Sequence, residues 1–285
     1  MSYGKIADTF AKFFGITLTR GACAQVVKRA GRLLQPVYQE IKEHIQTSKQ
    51  LTPDETGWRI GGHTVWLHTA VGDDGATLYT IDRQRSAEVL EKIIGIDWSG
   101  DMTHDGFSSY ERFENATHQQ CVDHALRRAR SLAEQQRGAA QIFPQQVIGL
   151  LTDALQTRDR FAEQEPGAEQ RGQAYEDYVA QLRALSEQPR HDPANERFAK
   201  HLYRHAASWF LFLLDPNIPA TNHRAEQALK TPIVNRKVWG GNRTDAGGVA
   251  QAVTASVLQT CHNRAVDVFT FFSNAFRGAL GNLFA

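Results

Sequence analysis

Apolar residues repeat at two different periods along the chain, and the change of period divides it. Ile6, Phe10, Phe13 and Phe14 share one face at helical spacing, Gly15 interrupts them, and Thr19 opens a second helix through Val26 and Val27. Two arrangements fit that pair: a helix-turn-helix, or a plain helical hairpin packed on the main body. Leu33 to Ile45 continues as an amphipathic helix through Leu34, Val37, Ile41 and Ile45. From Leu51 the period falls to two. A strand over Asp54 to Ile60 closes at Gly61-Gly62, and HTVWLHTAVG and TLYTID, joined by DDGA, form a hairpin of β-branched and aromatic residues. A helix is predicted from Arg85 to Ile94, with Ala87, Val89, Leu90 and Ile93 facing inward. A short strand near Asp101 to His104 follows, then a helical turn with Tyr110 and Phe113, then a strand near His118 to Val122.

From Ala125 to Asp215 the pattern is helical almost throughout, with breaks at Phe143-Pro144, Pro166-Gly167, Pro189 and Pro193. The next helix starts after Thr221 and Asn222, a capping pair, and its Ala225, Ala228 and Leu229 make a small apolar face that would lie close on a sheet. A basic, glycine-rich loop through Gly248 follows, then helices over Val249 to His262 and Val268 to Phe276. The expected fold class is α/β, in four segments: helical 1–50, strand-rich 51–124, an all-helical insertion at 125–215, and a closing part at 216–285. Three strands, helix, strand, helix, strand resembles the element order of a ribonuclease H-like mixed sheet flanked by helices. In that fold one acid lies on the first strand and a second just after the fourth.

A chain of 285 residues is long enough for one large domain with an insertion or for two domains, and 41% apolar residues exclude global disorder. No apolar run approaches the roughly 20 residues that span a bilayer, and the N-terminus lacks a signal-peptide core. Cys23, Cys121 and Cys261 are odd in number and far apart, which is no disulfide framework and fits a reducing cytoplasm. The net charge of +1 hides an uneven distribution: residues 1–50 hold eight Lys and Arg against three acids, and residues 220–285 hold seven against three. A basic end is either a phosphate-binding surface or a solvated helix face.

The candidate chemistry rests on Asp54 in LTPDETGW, Asp105 in MTHDGFSSY and Glu226 in PATNHRAEQALK. The first two are expected where strands begin or end, and Glu226 about one turn into its helix. A lone acid is ordinarily a solvated surface charge. Three that converge would hold hard divalent cations through oxygen, and two such ions about 4 Å apart serve in-line displacement at a phosphodiester.

Those segments together resemble the insertion sequence 66 family of bacterial DDE transposases. DET at Asp54 to Thr56 is similar to the family's first acidic motif and DGFSSY at Asp105 to Tyr110 to its second. HQQCVDHALRR at His118 to Arg128 is similar to the segment that follows, and PATNHRAEQALK with Arg236-Lys237 to the third motif. The match runs in order over roughly residues 5 to 275, and four ordered motifs are far more specific than one. The resemblance implies that Asp54, Asp105 and Glu226 are the catalytic and metal-binding triad. It implies Mg2+ or Mn2+, two ions, as cofactor, transposon-end and target double-stranded DNA as partner, and a homo-oligomer on DNA. It departs in two places. Family members usually carry a further N-terminal region with a coiled coil and a metal-binding part, and His223 stands where a second asparagine is expected, so a shortened copy or a family variant is expected.

Around the triad, Arg224, Arg236, Lys237, Arg243 and Asn222 are the candidate DNA contacts. Gly240, Gly241, Gly247 and Gly248 would let backbone approach a phosphate closely. His124 is a candidate catalytic residue that contacts the scissile phosphate or orients Asp105. Cys121-x-x-His124 also has the spacing of half a zinc site, but no second pair lies nearby. Trp239 is expected in the core or stacked on an unpaired base, and Trp58, Trp66 and Trp209 in the core. His63, His68 and His104 are expected to be satisfied polar residues beside strands. Three functions remain open at this stage: strand cleavage and joining, a ribonuclease H-like nuclease or resolvase that only cuts, and a DNA-binding remnant without catalysis.

Overall fold

The structure is a computed structural model that describes residues 1–284. Its helices are α1 (Tyr3–Phe14), α2 (Arg20–Leu33), α3 (Gln35–Thr47), α4 (Ala87–Ile94), α5 (Val122–Gln135), α6 (Ile142–Gln164), α7 (Ala168–Glu187), α8 (Pro193–Arg204), α9 (Leu211–Leu214), α10 (His223–Trp239), α11 (Asp245–Asn263) and α12 (Val268–Phe276). Its strands are β1 (Gln50–Ile60), β2 (His63–Gly72), β3 (Thr77–Asp82), β4 (Asp101–His104) and β5 (Thr117–Gln120), in the mixed order β3-β2-β1-β4-β5. This is the α/β, ribonuclease H-like architecture expected from the element order. Among the described residues no helix is long and apolar enough to cross a membrane.

The chain forms two compact units. The first is Met1–Gly100, Ser108–Ala116 and the chain from His223 on; the second is Asp101–Phe107 and Thr117–Asn222.

In the first unit β1, β2 and β3 form an antiparallel meander, with Asp54 opposite Thr69 and Thr69 opposite Tyr79. Opposed residues share a face. Trp58, Val65, Leu67, Val71 and Tyr79 line one face and pack with Ala225, Ala228 and Leu229 of α10, so the small apolar face read from the sequence does lie on a sheet. The free edge of β3 is not left bare. Ser256 and Thr260 of α11 accept the main-chain amides of Tyr79 at 2.8 Å and Thr77 at 3.0 Å, which blocks edge-to-edge pairing with another chain. At the N-terminus Gly15 takes the left-handed conformation that ends α1, and the Thr19 hydroxyl caps α2. The helices α2 and α11 cross closely at Gly31, where a methyl group would come within 2.9 Å of the Ala250 methyl.

The second unit pairs β4 with β5 in parallel and builds its core from α5 to α9 around Val147, Leu182, Phe198, Leu202, Phe210 and Phe212. Here the helical pattern of 125–215 is found as read, with α5 starting at Val122 rather than at Ala125. Asp192 supplies the cap of α8 by accepting the amides of Ala194 and Asn195, each at 2.9 Å.

Candidate active site

Asp54 is the fifth residue of β1, inside the strand rather than at its end as the sequence suggested. Pro53 weakened the strand signal there, yet Leu51, Thr52 and Pro53 are all buried and paired with β2. Asp54 is half-buried, and its Oδ1 accepts the Glu55 amide at 2.8 Å. It belongs to the row Asp54, Thr69, Tyr79, on the face that α10 covers. Glu226 stands in the first turn of α10 and is also half-buried. The first and third acids are thus carried by a strand and a helix that meet on one sheet face.

The helix that carries Glu226 continues through Pro232 to Trp239, further than the sequence indicated. A proline lacks the N–H that would bond the carbonyl four residues back, here Ala228. The Tyr79 hydroxyl donates to that carbonyl at 2.6 Å. Burial pushes the Tyr79 phenol pKa up, so the donor proton stays in place.

Asp105 lies just after β4, in the second unit. Its Oδ1 accepts the Phe107 amide at 3.0 Å, the closure of an Asx turn. His104 beside it is buried, and burial holds its pKa down to about 3. Its Nδ1–H donates to the Asp105 carbonyl, which leaves Nε2 to accept from His118 Nδ1–H at 2.9 Å. The expectation of a satisfied histidine holds at His104. It holds in half at buried His68, whose Nε2 donates to the Gln84 carbonyl at 3.0 Å while Nδ1 has no partner among the described residues. His63 is exposed at the hairpin end.

His124, the third residue of α5, has its Nε2 3.1 Å from the Arg127 guanidinium, which donates to it. The neighbouring Cys121 is buried, and burial pushes its thiol up to about 11. That protonated thiol donates to Asn222 Oδ1 at 3.1 Å and accepts the Asn222 amide at 3.4 Å. Asn222, expected to touch DNA, is therefore corrected: it is fully buried and bonded to Cys121. Among the described residues no group of three or more His, Cys, Asp or Glu is placed to hold a metal ion.

Arg224, Lys237 and Arg243 are exposed. Arg236 donates to the Gly57 carbonyl, and with Lys237, Arg59, Thr64 and Gly240 it lines a groove of about 480 Å3 in the first unit. The glycines are used differently from the expectation. A methyl on Gly241 would collide with the Arg59 carbonyl, and one on Gly248 would lie 2.8 Å from Ile60 Cδ1, so both serve close packing against β1. Trp58 and Trp209 are core residues as expected. Trp66 is not: it is half-buried under the Arg85 guanidinium, 4.9 Å from the ring centre. Trp239 is half-buried at the end of α10.

Sequence reasoning missed one charged cluster. The Glu55 side chain is only 2% exposed, and it accepts from Arg85 Nε at 2.8 Å and from the Tyr110 hydroxyl at 2.8 Å. Both Glu55 and Tyr110 stand inside motifs that were read for their aspartates alone.

Residues 1–250 match the family described as "Transposase IS66 family". The chain belongs to the IS66 family of transposases. It is also similar to "Uncharacterized protein y4hP" of Sinorhizobium fredii (strain NBRC 101917 / NGR234), with 24% identity over 290 residues that cover 89% of this chain and 52% of that protein. The chain thus spans about half the length of that curated relative. The IS66 match covers the DET, DGFSSY and PATNHRAEQALK segments together, and so the resemblance read from those motifs holds.

Proposed function

We propose that this IS66 chain is a DDE-type transposase that cuts phosphodiesters at transposon ends and joins the freed 3'-hydroxyl to target DNA. Asp54, Asp105 and Glu226 are the residues assigned to hold Mg2+ or Mn2+. The observation that carries this reading is the position of Glu226 on the helix covering the sheet face of Asp54, within a chain matched to the family over 1–250. The donor set fits: carboxylate oxygens are the ligands hard divalent cations prefer. A further sign is Thr69, opposite Asp54 and 1% exposed, whose hydroxyl has no hydrogen-bond partner among the described residues. A buried orphan of this kind beside an acid suits a site that takes up a hydrated ion. When bound, two such ions supply the Lewis acidity that generates the nucleophile and stabilises the leaving oxygen.

The chain's own residues do the rest. Arg224, Lys237, Arg243 and the groove with Arg59 and Arg236 present positive charge to the phosphate backbone and fix its register without reading sequence. His124 orients the Asp105 segment or meets the scissile phosphate. DNA ends are bridged by more than one copy of the chain.

A second reading, a DNA-binding protein without catalysis, draws on the exposed cations Arg224, Lys237 and Arg243 and the groove with Arg236, which would hold a phosphate backbone whether or not it is cut. One experiment decides. Purified chain is incubated with supercoiled plasmid and Mg2+ or Mn2+, beside Asp54→Asn and Glu226→Gln. The transposase reading expects nicked and then joined products from the wild type and a loss of roughly a hundredfold or more in each variant. Nicks without joined product would make it a nuclease. No metal-dependent nick, or equal nicking by the variants, would leave the non-catalytic reading.

A further inference from the structure

Glu55 is a carboxylate that a strand has no evident reason to bury. Strand geometry turns it to the sheet face opposite Asp54. A buried charge is costly unless it is paired and hydrogen-bonded, and here it is both. Arg85, just before α4, meets Oε1 through Nε at 2.8 Å and through Nη2, while Tyr110 donates to Oε2 at 2.8 Å. Arg85 is held in turn by stacking on Trp66. Tyr110 is fully buried in a short 3-10 turn, Ser108–Arg112, and the same turn is tied to α4 by Arg112 donating to Glu91 at 3.0 Å. All of these residues belong to the first unit.

The partners are not scattered in sequence. Glu55 directly follows Asp54 in DET, and Tyr110 closes DGFSSY, which Asp105 opens. Whatever fixes Tyr110 fixes one end of the six-residue segment that starts at Asp105. We infer that Glu55 and Tyr110 are positioning residues: their hydrogen bond latches the segment after the second acid to the strand that carries the first, with Arg85 neutralising the carboxylate. Neither residue touches the reacting atoms. This inference rests on the transposase reading for its consequence in catalysis, but not for the latch itself.

The test is Tyr110→Phe in the full chain, which removes one hydroxyl and keeps the ring in the core. The latch expects a folded protein in which amides of 105–110 exchange roughly fivefold faster or more while β1 and β2 peptides keep their protection. In DNA cleavage it expects kcat to fall roughly tenfold with KM for DNA nearly unchanged. Glu55→Gln keeps an acceptor for Tyr110, so it should restrain 105–110 better than Tyr110→Phe does. Unchanged exchange and unchanged kcat in Tyr110→Phe overturn the inference. If wild-type protein cuts no DNA, the transposase reading fails by itself, and the exchange of 105–110 still decides whether the latch exists.

Discussion

Thr69 carries a single hydroxyl, and its surroundings set two opposite consequences for losing it. It is buried between Asp54 and Tyr79 in one cross-strand row, and its Oγ1 bonds nothing among the described residues. An unsatisfied buried polar group costs about 1–3 kcal/mol. Thr69→Val should therefore raise metal-free stability, by about 1 kcal/mol in urea unfolding. If the hydroxyl serves a hydrated cation beside Asp54, the same variant should bind Mn2+ several times more weakly in an EPR titration. The opposite signs separate a packing role from a binding role. A variant that is less stable, or that binds Mn2+ as the wild type does, would remove Thr69 from the site. Nothing in the sequence marked this residue. A threonine inside HTVWLHTAVG reads as ordinary strand propensity until the register sets it against Asp54.

At the scale of an element, α10 shows how a helix keeps a proline in its interior. Pro232 leaves the Ala228 carbonyl without its helical donor, and Tyr79, 149 residues away in sequence, supplies one. Tyr79→Phe should cost about 1–3 kcal/mol, because the carbonyl is then buried and unbonded. In a Pro232→Ala background the alanine N–H takes over that carbonyl, so the same substitution should cost about 1 kcal/mol less. A denaturation double-mutant cycle measures this coupling, and strictly additive costs would refute the account. The same element explains what was legible. The face formed by Ala225, Ala228 and Leu229 follows from spacing alone, and it packs as read. The end of the helix was hidden, because a proline ordinarily stops a helix and the compensating hydroxyl lies on a distant strand. Asp54, Asp105 and Glu226 could be picked out because each sits in a recognisable motif. Asn222, Gly241 and Gly248 read as ligand-facing because a polar or flexible residue near a basic loop does so in sequence, whereas burial and close approach to β1 are properties of the packed chain.

For the molecule as a whole, histidines whose pKa is held down set how it answers acid. Burial lowers His104 to about 3 and His201 to about 4, with His205, Arg128 and Arg204 adding repulsion at His201. His201 packs edge-on to Trp209 at 5.8 Å between ring centres, inside the second unit. A histidine whose folded pKa lies below its unfolded value of about 6.5 contributes stability that is present above that value. The contribution is lost as pH falls from about 6.5 toward the folded pKa, because the unfolded chain then binds the proton that the folded one refuses. The urea midpoint, followed through Trp209-containing peptides by amide exchange, should therefore fall steadily between pH 7 and about 4.5. His201→Gln, which cannot take up the proton, should flatten that dependence while lowering the midpoint at neutral pH. A midpoint independent of pH over this range, or a His201→Gln profile parallel to the wild type, would show that the second unit accommodates the protonated ring without opening.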